Sequence, residues 1–172
     1  MQETPQQYTA RMLSLIADKD PLKVQQATAK KLATAIKGLD KKKLNKRPAP
    51  GKWSIAEILA HLADTEVVGS WRMRIVLSQN GAPLHAFDQD TWASTFNYQK
   101  SDAKRSLETF RTLRENNLAM LKKVPKELWE NYGQHTERGQ EKISHIVHMF
   151  AGHDLNHLGQ VEQIAKDSRR RK

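Results

Sequence analysis

Seven histidines and no cysteine in 172 residues confine any metal chemistry in this chain to nitrogen and oxygen ligands. Four of the histidines crowd one late stretch, at positions 145, 148, 153 and 157. His153 and His157 stand four apart, one turn of a helix, so both imidazoles can address a single point about 2 Å from each nitrogen. The same spacing also fits a plain polar ridge, and two ligands alone make a weak site. A third candidate is His61, which interrupts the apolar run Ile58-Leu59-Ala60-His61-Leu62-Ala63. A lone buried histidine satisfied by one hydrogen bond would fit that run equally well. Three neutral imidazoles on one divalent ion would leave positions open for water or substrate, unlike a closed four-ligand structural site, and imidazole suits zinc and nickel alike.

The neighbours of these histidines supply the rest of a possible site. Glu57 lies one turn before His61, and Asp64 and Thr65 lie three and four residues after it. Glu57 and Asp64 are therefore the candidate catalytic carboxylates, as orienting groups or as bases, while Glu66 reads as solvated or as a partner for basic residues. Asn156 and Gln160 follow His153 and His157 by three residues and offer partners that fix an imidazole tautomer. His148 is turned about 140° off the face of the pair and His145 is eight residues from His153, so both read as surface or structural. His85 reads as solvated, and His135 is open between solvent and substrate. Arg72, eleven residues beyond His61 and nearly on its face, either meets an anionic substrate tail or forms a surface salt bridge.

Long amphipathic helices must position these groups. Pro5–Ala17 reads as a short N-terminal brace, and Asp20-Pro21 caps a helix that Gly38 ends. Ser54 and Glu57 form a capping box for a helix running to about Gln79 that carries His61. Ser101-Asp102 starts a third long helix that ends before Pro125, and residues 140–165 form the last, bearing the histidine pair. The segment 39–53 contains Pro48-Ala49-Pro50-Gly51 and cannot continue a helix; 80–90 and 129–139 read as polar connectors, with a short helix or plug around Trp92 to Tyr98. The expected fold class is all-α, a four-helix bundle with additional short helices, whose long crossings at 39–53 and 80–101 permit something other than up-and-down order.

With 38% hydrophobic and 28% charged residues, the chain is the size of one globular domain, assigned to 1–168 with a basic tail at 169–172. The formal charge of +10 gathers in nine basic residues between Lys30 and Lys52, set against Asp40 alone, and in that tail. Neither run is interleaved with aromatics or joined to a phosphate-binding motif, which argues for solvated surface over nucleic acid. The opening MQETPQQYTARM lacks a signal-like apolar run and no stretch approaches about 18 apolar residues, so the expectation is a cytoplasmic protein without membrane association.

WSIAEILAHLADTE at Trp53–Glu66, with AGHDLNHLGQ at Ala151–Gln160, resembles the DinB/YfiT-like family of metal-binding four-helix proteins. The likeness extends to the PAPGKW approach, FDQDTWA at Phe87–Ala93 and HTERG at His135–Gly139. In that family one histidine from the second long helix and an HxxxH pair from the last complete a three-histidine site, which the resemblance places on His61, His153 and His157. Its members include thiol-dependent transferases and isomerases and proteins described as metal-dependent hydrolases. The resemblance thus implies hydrolysis or thiol transfer on a small molecule, with a zinc or nickel ion as cofactor. Any thiol must be a low-molecular-weight cosubstrate, since the chain has none. A homodimer is the expected assembly. The alternatives are a metal-stabilised helical interaction module, favoured by a sealed ion, and a basic nucleic-acid-associated protein, favoured by a contiguous basic groove.

Overall fold

The structure, a computed structural model, describes residues 3–170. Its elements in chain order are α1 (Pro5–Ile16), α2 (Pro21–Ile36), α3 (Lys41–Asn45), α4 (Ile55–Ser78), β1 (Ala82–Leu84), α5 (Gln89–Thr95), α6 (Ala103–Leu121), β2 (Tyr132–His135), β3 (Gly139–Lys142) and α7 (Ile143–Arg170), with single 3-10 turns at Tyr98–Lys100 and Lys126–Glu130. The capping residues read from sequence set the starts. Asp20 accepts from the backbone N–H groups of Leu22 and Lys23, Asp102 from those of Lys104 and Arg105, and Ser54 and Glu57 form a reciprocal box.

Helices α2, α4, α6 and α7 form the bundle. Both α2 and α4 pack chiefly against α6 and α7, so these two helices stand at opposite corners although they follow one another in the chain. The crossing through α3 carries the chain between those corners, and up-and-down order is thereby excluded. The apolar faces of α2, α4 and α7 meet at Leu32, Ile58, Leu59, Leu62, Leu158 and Val161, with Phe110 from α6 filling the same core. A second cluster around Val76, Leu84, Leu121, Ile143 and Val147 closes the other end of the bundle.

The connectors hold more structure than the sequence suggests. β1 pairs in parallel with β2, and β2 pairs antiparallel with β3, so that residues 82–84, 132–135 and 139, expected as loops, take part in a three-stranded sheet. Residues 140–142, expected as the first turn of the last helix, belong to β3 instead, and α7 begins at Ile143. At its far end α7 runs through Arg170, and Arg169 donates to the carbonyls of Ala35 and Lys37, which ties this part of the basic tail to the end of α2. Arg171 and Lys172 lie outside the described residues. No helix among the described residues is long and apolar enough to cross a membrane.

Two glycines set the distances around the histidine-bearing helices. A Cβ on Gly152 would run into the backbone of Met12, so α1 lies directly on α7 next to His153. A Cβ on Gly69 would overlap the Phe150 ring, which therefore enters the seam between α4 and α7. Both close approaches depend on the missing side chain.

Candidate metal centre

The three histidines singled out by their spacing come together in space. One ring nitrogen or other from each of His61, His153 and His157 lies within 4.8 Å of those of the other two, and Nε2 of His61 is 2.9 Å from Nε2 of His153. The three rings pack mutually, with centroids 4.4 to 5.0 Å apart, and Trp53 lies against the His61 ring at 5.0 Å. Burial is nearly complete, at 2, 7 and 8% exposure for His61, His153 and His157.

That environment fixes the chemistry of the nitrogens. Burial holds His61 down to about 3, with neighbouring His157 adding to the effect, and it holds His157 at about 4 against the opposing hydrogen bond to Gln160. His153 lies well below the ordinary histidine range, chiefly through burial and then through its two histidine neighbours. All three are neutral at pH 7, with lone pairs available for a cation. Gln160 Oε1 lies 2.9 Å from Nδ1 of His157, which places the proton on Nδ1 and leaves Nε2 as the ligand atom.

The donor set fits a divalent cation better than it fits itself. One proton can bridge a single pair of imidazoles, whereas a cation satisfies three converging lone pairs together. The buried Nδ1 of His61 has no hydrogen-bond partner among the described residues, and such an orphaned group is a feature of functional clusters more than of optimised cores. Three imidazoles without a carboxylate or thiolate suit zinc or nickel and leave coordination positions free.

Those free positions have somewhere to face. A cavity of about 340 Å³ is lined by His61, Thr65, Val68 and Arg72 along α4, by Met149, Phe150 and His153 on α7, and by Phe87 and Arg138 from the connectors. A second cavity of about 800 Å³ opens at His157, beside Trp53, Lys52, Arg11 and Gln160, and both cavities share Tyr8 and Gln89.

The two carboxylates expected to do chemistry are engaged elsewhere. Glu57, though buried next to the start of α4, accepts the Ser54 backbone N–H at 2.8 Å and binds the Arg47 guanidinium through both oxygens. Burial opposes its ionisation, but Arg47 and Ser54 outweigh it and hold the carboxyl below its usual range. Asp64 accepts a 2.5 Å hydrogen bond from the Tyr98 hydroxyl. Of the expected supporting groups, Gln160 meets His157, Thr65 Oγ1 is 3.4 Å from His61 Nε2, and Asn156 instead accepts from Arg11.

Other residues are placed as follows. Glu66 is the partner of a basic residue, one of its two expected roles, but it is buried: with Asp154 it grips Arg114 in a triad at 2.5 to 2.8 Å. Asp154 follows His153 directly, so the triad fixes the turn of α7 that carries the histidine pair. Arg72 forms no salt bridge among the described residues; it is buried against the His85 carbonyl and His135. His85 is exposed, His135 buried, and His145 partly exposed, 3.9 Å from Glu141. The signal for the triad was faint: an arginine within the amphipathic pattern of α6, with acids 40 and 48 residues away.

A superfamily model matches residues 26–161, spanning α2 through most of α7 and all three histidines. The chain belongs to the DinB superfamily. Relatives within reach of sequence comparison include a protein of Halalkalibacterium halodurans, 22% identical over 125 residues, covering 73% of this chain and 72% of the relative. Another, from Bacillus cereus, is 23% identical over 135 residues, 78% of each chain; both are named "putative metal-dependent hydrolase". Among solved structures, YfiT from Bacillus subtilis superposes with a TM-score of 0.79 at 16% identity, over 86% of this chain and 85% of YfiT. YfiT is described as "a probable metal-dependent hydrolase with an unusual four-helix bundle topology", and at this identity the likeness establishes a shared fold.

Burial of neutral histidines has a measurable consequence. In the unfolded chain each takes up a proton below about pH 6.5, whereas in the fold His61 and His157 resist until about 3 and 4. The unfolded state therefore binds more protons as pH falls from 6.5, and stability drops across that window, by about 2 kcal/mol at pH 5 for each of these two groups. Urea unfolding of metal-free protein at pH 7 and pH 5 should show a clearly lower midpoint at pH 5. An unchanged midpoint would mean that the cluster is solvated and already protonated in the fold.

Proposed function

We propose that this protein is a metal-dependent enzyme acting on a small molecule, that His61, His153 and His157 hold one divalent cation, zinc or nickel, and that its reaction is hydrolysis. The observation that carries this reading is the convergence of three buried, neutral imidazoles at the junction of two cavities. A sealed ion would favour a purely structural module, and the adjoining cavities speak against it. The names of the relatives support a metal-dependent hydrolase at the level of the family.

Bound at these nitrogens, the cation would supply Lewis acidity towards a polarised substrate or lower the pKa of water towards neutrality. The chain's own residues do the positioning. Gln160 holds the His157 tautomer, Trp53 packs on the His61 ring, and Thr65 places a hydroxyl at the mouth of the cavity beside His61. Glu57 and Asp64 serve as positioning residues in this reading, Glu57 by fixing the first turn of α4 through Ser54 and Arg47, and Asp64 by anchoring Tyr98 one turn beyond His61.

A second reading, thiol-dependent transfer, is favoured by one feature: two cavities reach the histidines, room for a cosubstrate as well as an electrophile. The test assays metal-loaded protein on hydrolysable esters and amides, and separately on electrophiles with bacillithiol, mycothiol or glutathione, with apo-protein and His61→Ala as controls. Turnover without thiol that both controls lose supports hydrolysis. Product formed with thiol alone, and lost in both controls, selects transfer. Turnover that persists in both controls contradicts the metal-dependent reading.

A further inference from the structure

The cavity beside His61 ends in a buried positive charge that forms an ion pair with no carboxylate among the described residues. Arg72 is 7% exposed, yet it takes part in no salt bridge among the described residues. Its Nη2 donates to the His85 carbonyl at 2.6 Å, while Nε and Nη1 donate to no protein group among the described residues. The nearest basic neighbour lining the cavity, Arg138, is already held by Glu141 through two hydrogen bonds. Glu3 and Glu137 also line the cavity, but Glu3 is bound to Arg11 and Glu137 is exposed.

The contact with His135 sharpens this picture. The Glu137 backbone N–H donates to His135 Nδ1 at 3.1 Å, so the neutral ring carries its proton on Nε2. That Nε2–H lies 3.2 Å from Arg72 Nη2, which is also a donor. Two donors facing each other leave the His135 Nε2–H and the Nη2 hydrogen not used by the His85 carbonyl without an acceptor, an arrangement that an anionic oxygen relieves. Burial and the repulsion of Arg138 lower the pKa of Arg72 to about 10 against the weaker opposing pull of Glu141 and Glu137, neither of which pairs with the guanidinium.

We propose that Arg72 is the anchor for an anionic group on the substrate, a carboxylate or phosphoryl group, whose apolar body lies against Val68, Phe87 and Phe150 and whose reactive end sits at His61 and His153. This deepens the proposed function, on which it rests for the identity of the cavity as the substrate site. His61, Thr65, Val68 and Arg72 follow one stripe of α4 in a single cavity wall. From the first to the last the helix rises ~16 Å, so the substrate is elongated, with its charge and its reacting bond at opposite ends. Phe87 faces the guanidinium at 6.0 Å and gives the apolar part a wall next to the charge. Arginine suits this role because its planar fork can meet a carboxylate or phosphate with two parallel hydrogen bonds.

The test is calorimetric titration of the full chain, as purified, with 4-phenylbutyrate, 3-phenylpropylphosphonate and uncharged 4-phenylbutyramide. Wild-type protein should bind at least one of the two anions about ten-fold or more tightly than the amide, and the better anion tells carboxylate from phosphoryl recognition. Arg72→Gln should abolish the preference and Arg72→Lys should retain part of it, whereas His61→Ala, which weakens the metal site, should keep it. Equal affinity for charged and uncharged ligands in wild type overturns the proposal. A preference lost in His61→Ala but kept in Arg72→Gln also overturns it, by placing the anion on the metal, and leaves the metal reading intact. Should Arg72→Gln fail to fold, the Arg72 side-chain Nε–H resonance of wild type decides: it should move on titration with the favoured anion, and its failure to move refutes the assignment.

Discussion

Replacing His153 with alanine is expected to weaken zinc binding by more than about 100-fold, beyond the 10- to 100-fold that loss of an outer partner costs at a metal site. His153 makes the shortest contacts within the trio, with Nε2 2.9 Å from that of His61 and its ring 4.4 Å from that of His157. Its removal leaves two imidazoles on different helices, no longer adjacent on α7. Gln160→Ala should cost less, about 10-fold, because it frees the His157 tautomer without deleting a ligand. The measurement is competition of each variant against a zinc chelator of known affinity, with circular dichroism to show that the helices persist. Equal affinity in wild type and His153→Ala would place the metal elsewhere.

The largest effect on stability should come from Arg114→Met. Arg114 bridges Glu66 on α4 and Asp154 on α7 inside the bundle, and all three are almost fully buried. Burial alone pushes Asp154 towards its neutral form and Arg114 is its main opponent, while the two acids keep the guanidinium charged despite its burial. Removing the cation strands two carboxylates in a low-dielectric interior, a loss of about 3–5 kcal/mol. Replacing the acids as well, with Glu66→Gln and Asp154→Asn, should recover more than half of that loss, since uncharged amides at those positions no longer need a cation. Urea unfolding of the single and triple variants checks this; equal stability of Arg114→Met and wild type would show that the triad is solvated.

The triad also shows where sequence stops informing structure. His61, His153 and His157 were legible because helical spacing and an apolar context restrict where such side chains can point, and the long helices were legible from their caps and apolar stripes. Arg114, Glu66 and Asp154 look like ordinary surface charges in sequence, and only packing of three separate helices reveals them as buried partners. Glu57 and Asp64 were placed near the metal for a sound reason, proximity to His61. Their partners Arg47 and Tyr98 come from connectors whose path no local rule sets. The sheet was invisible for a related cause: Ala82-Pro83-Leu84, Tyr132-Gly133-Gln134-His135 and Gly139-Gln140-Glu141-Lys142 are short, with proline, glycine and polar residues that carry little strand preference. Each becomes a strand because the other two are beside it.

Binding of one catalytic divalent ion by the three histidines is tested by elemental analysis of gently purified protein, before and after reconstitution with zinc or nickel. The expected result is one ion per chain in wild type and a marked loss in His61→Ala, a residue 92 positions away from His153 in the sequence yet 2.9 Å from it in space. Wild-type protein that carries no metal and refuses both ions, or His61→Ala that retains a full equivalent, would contradict it.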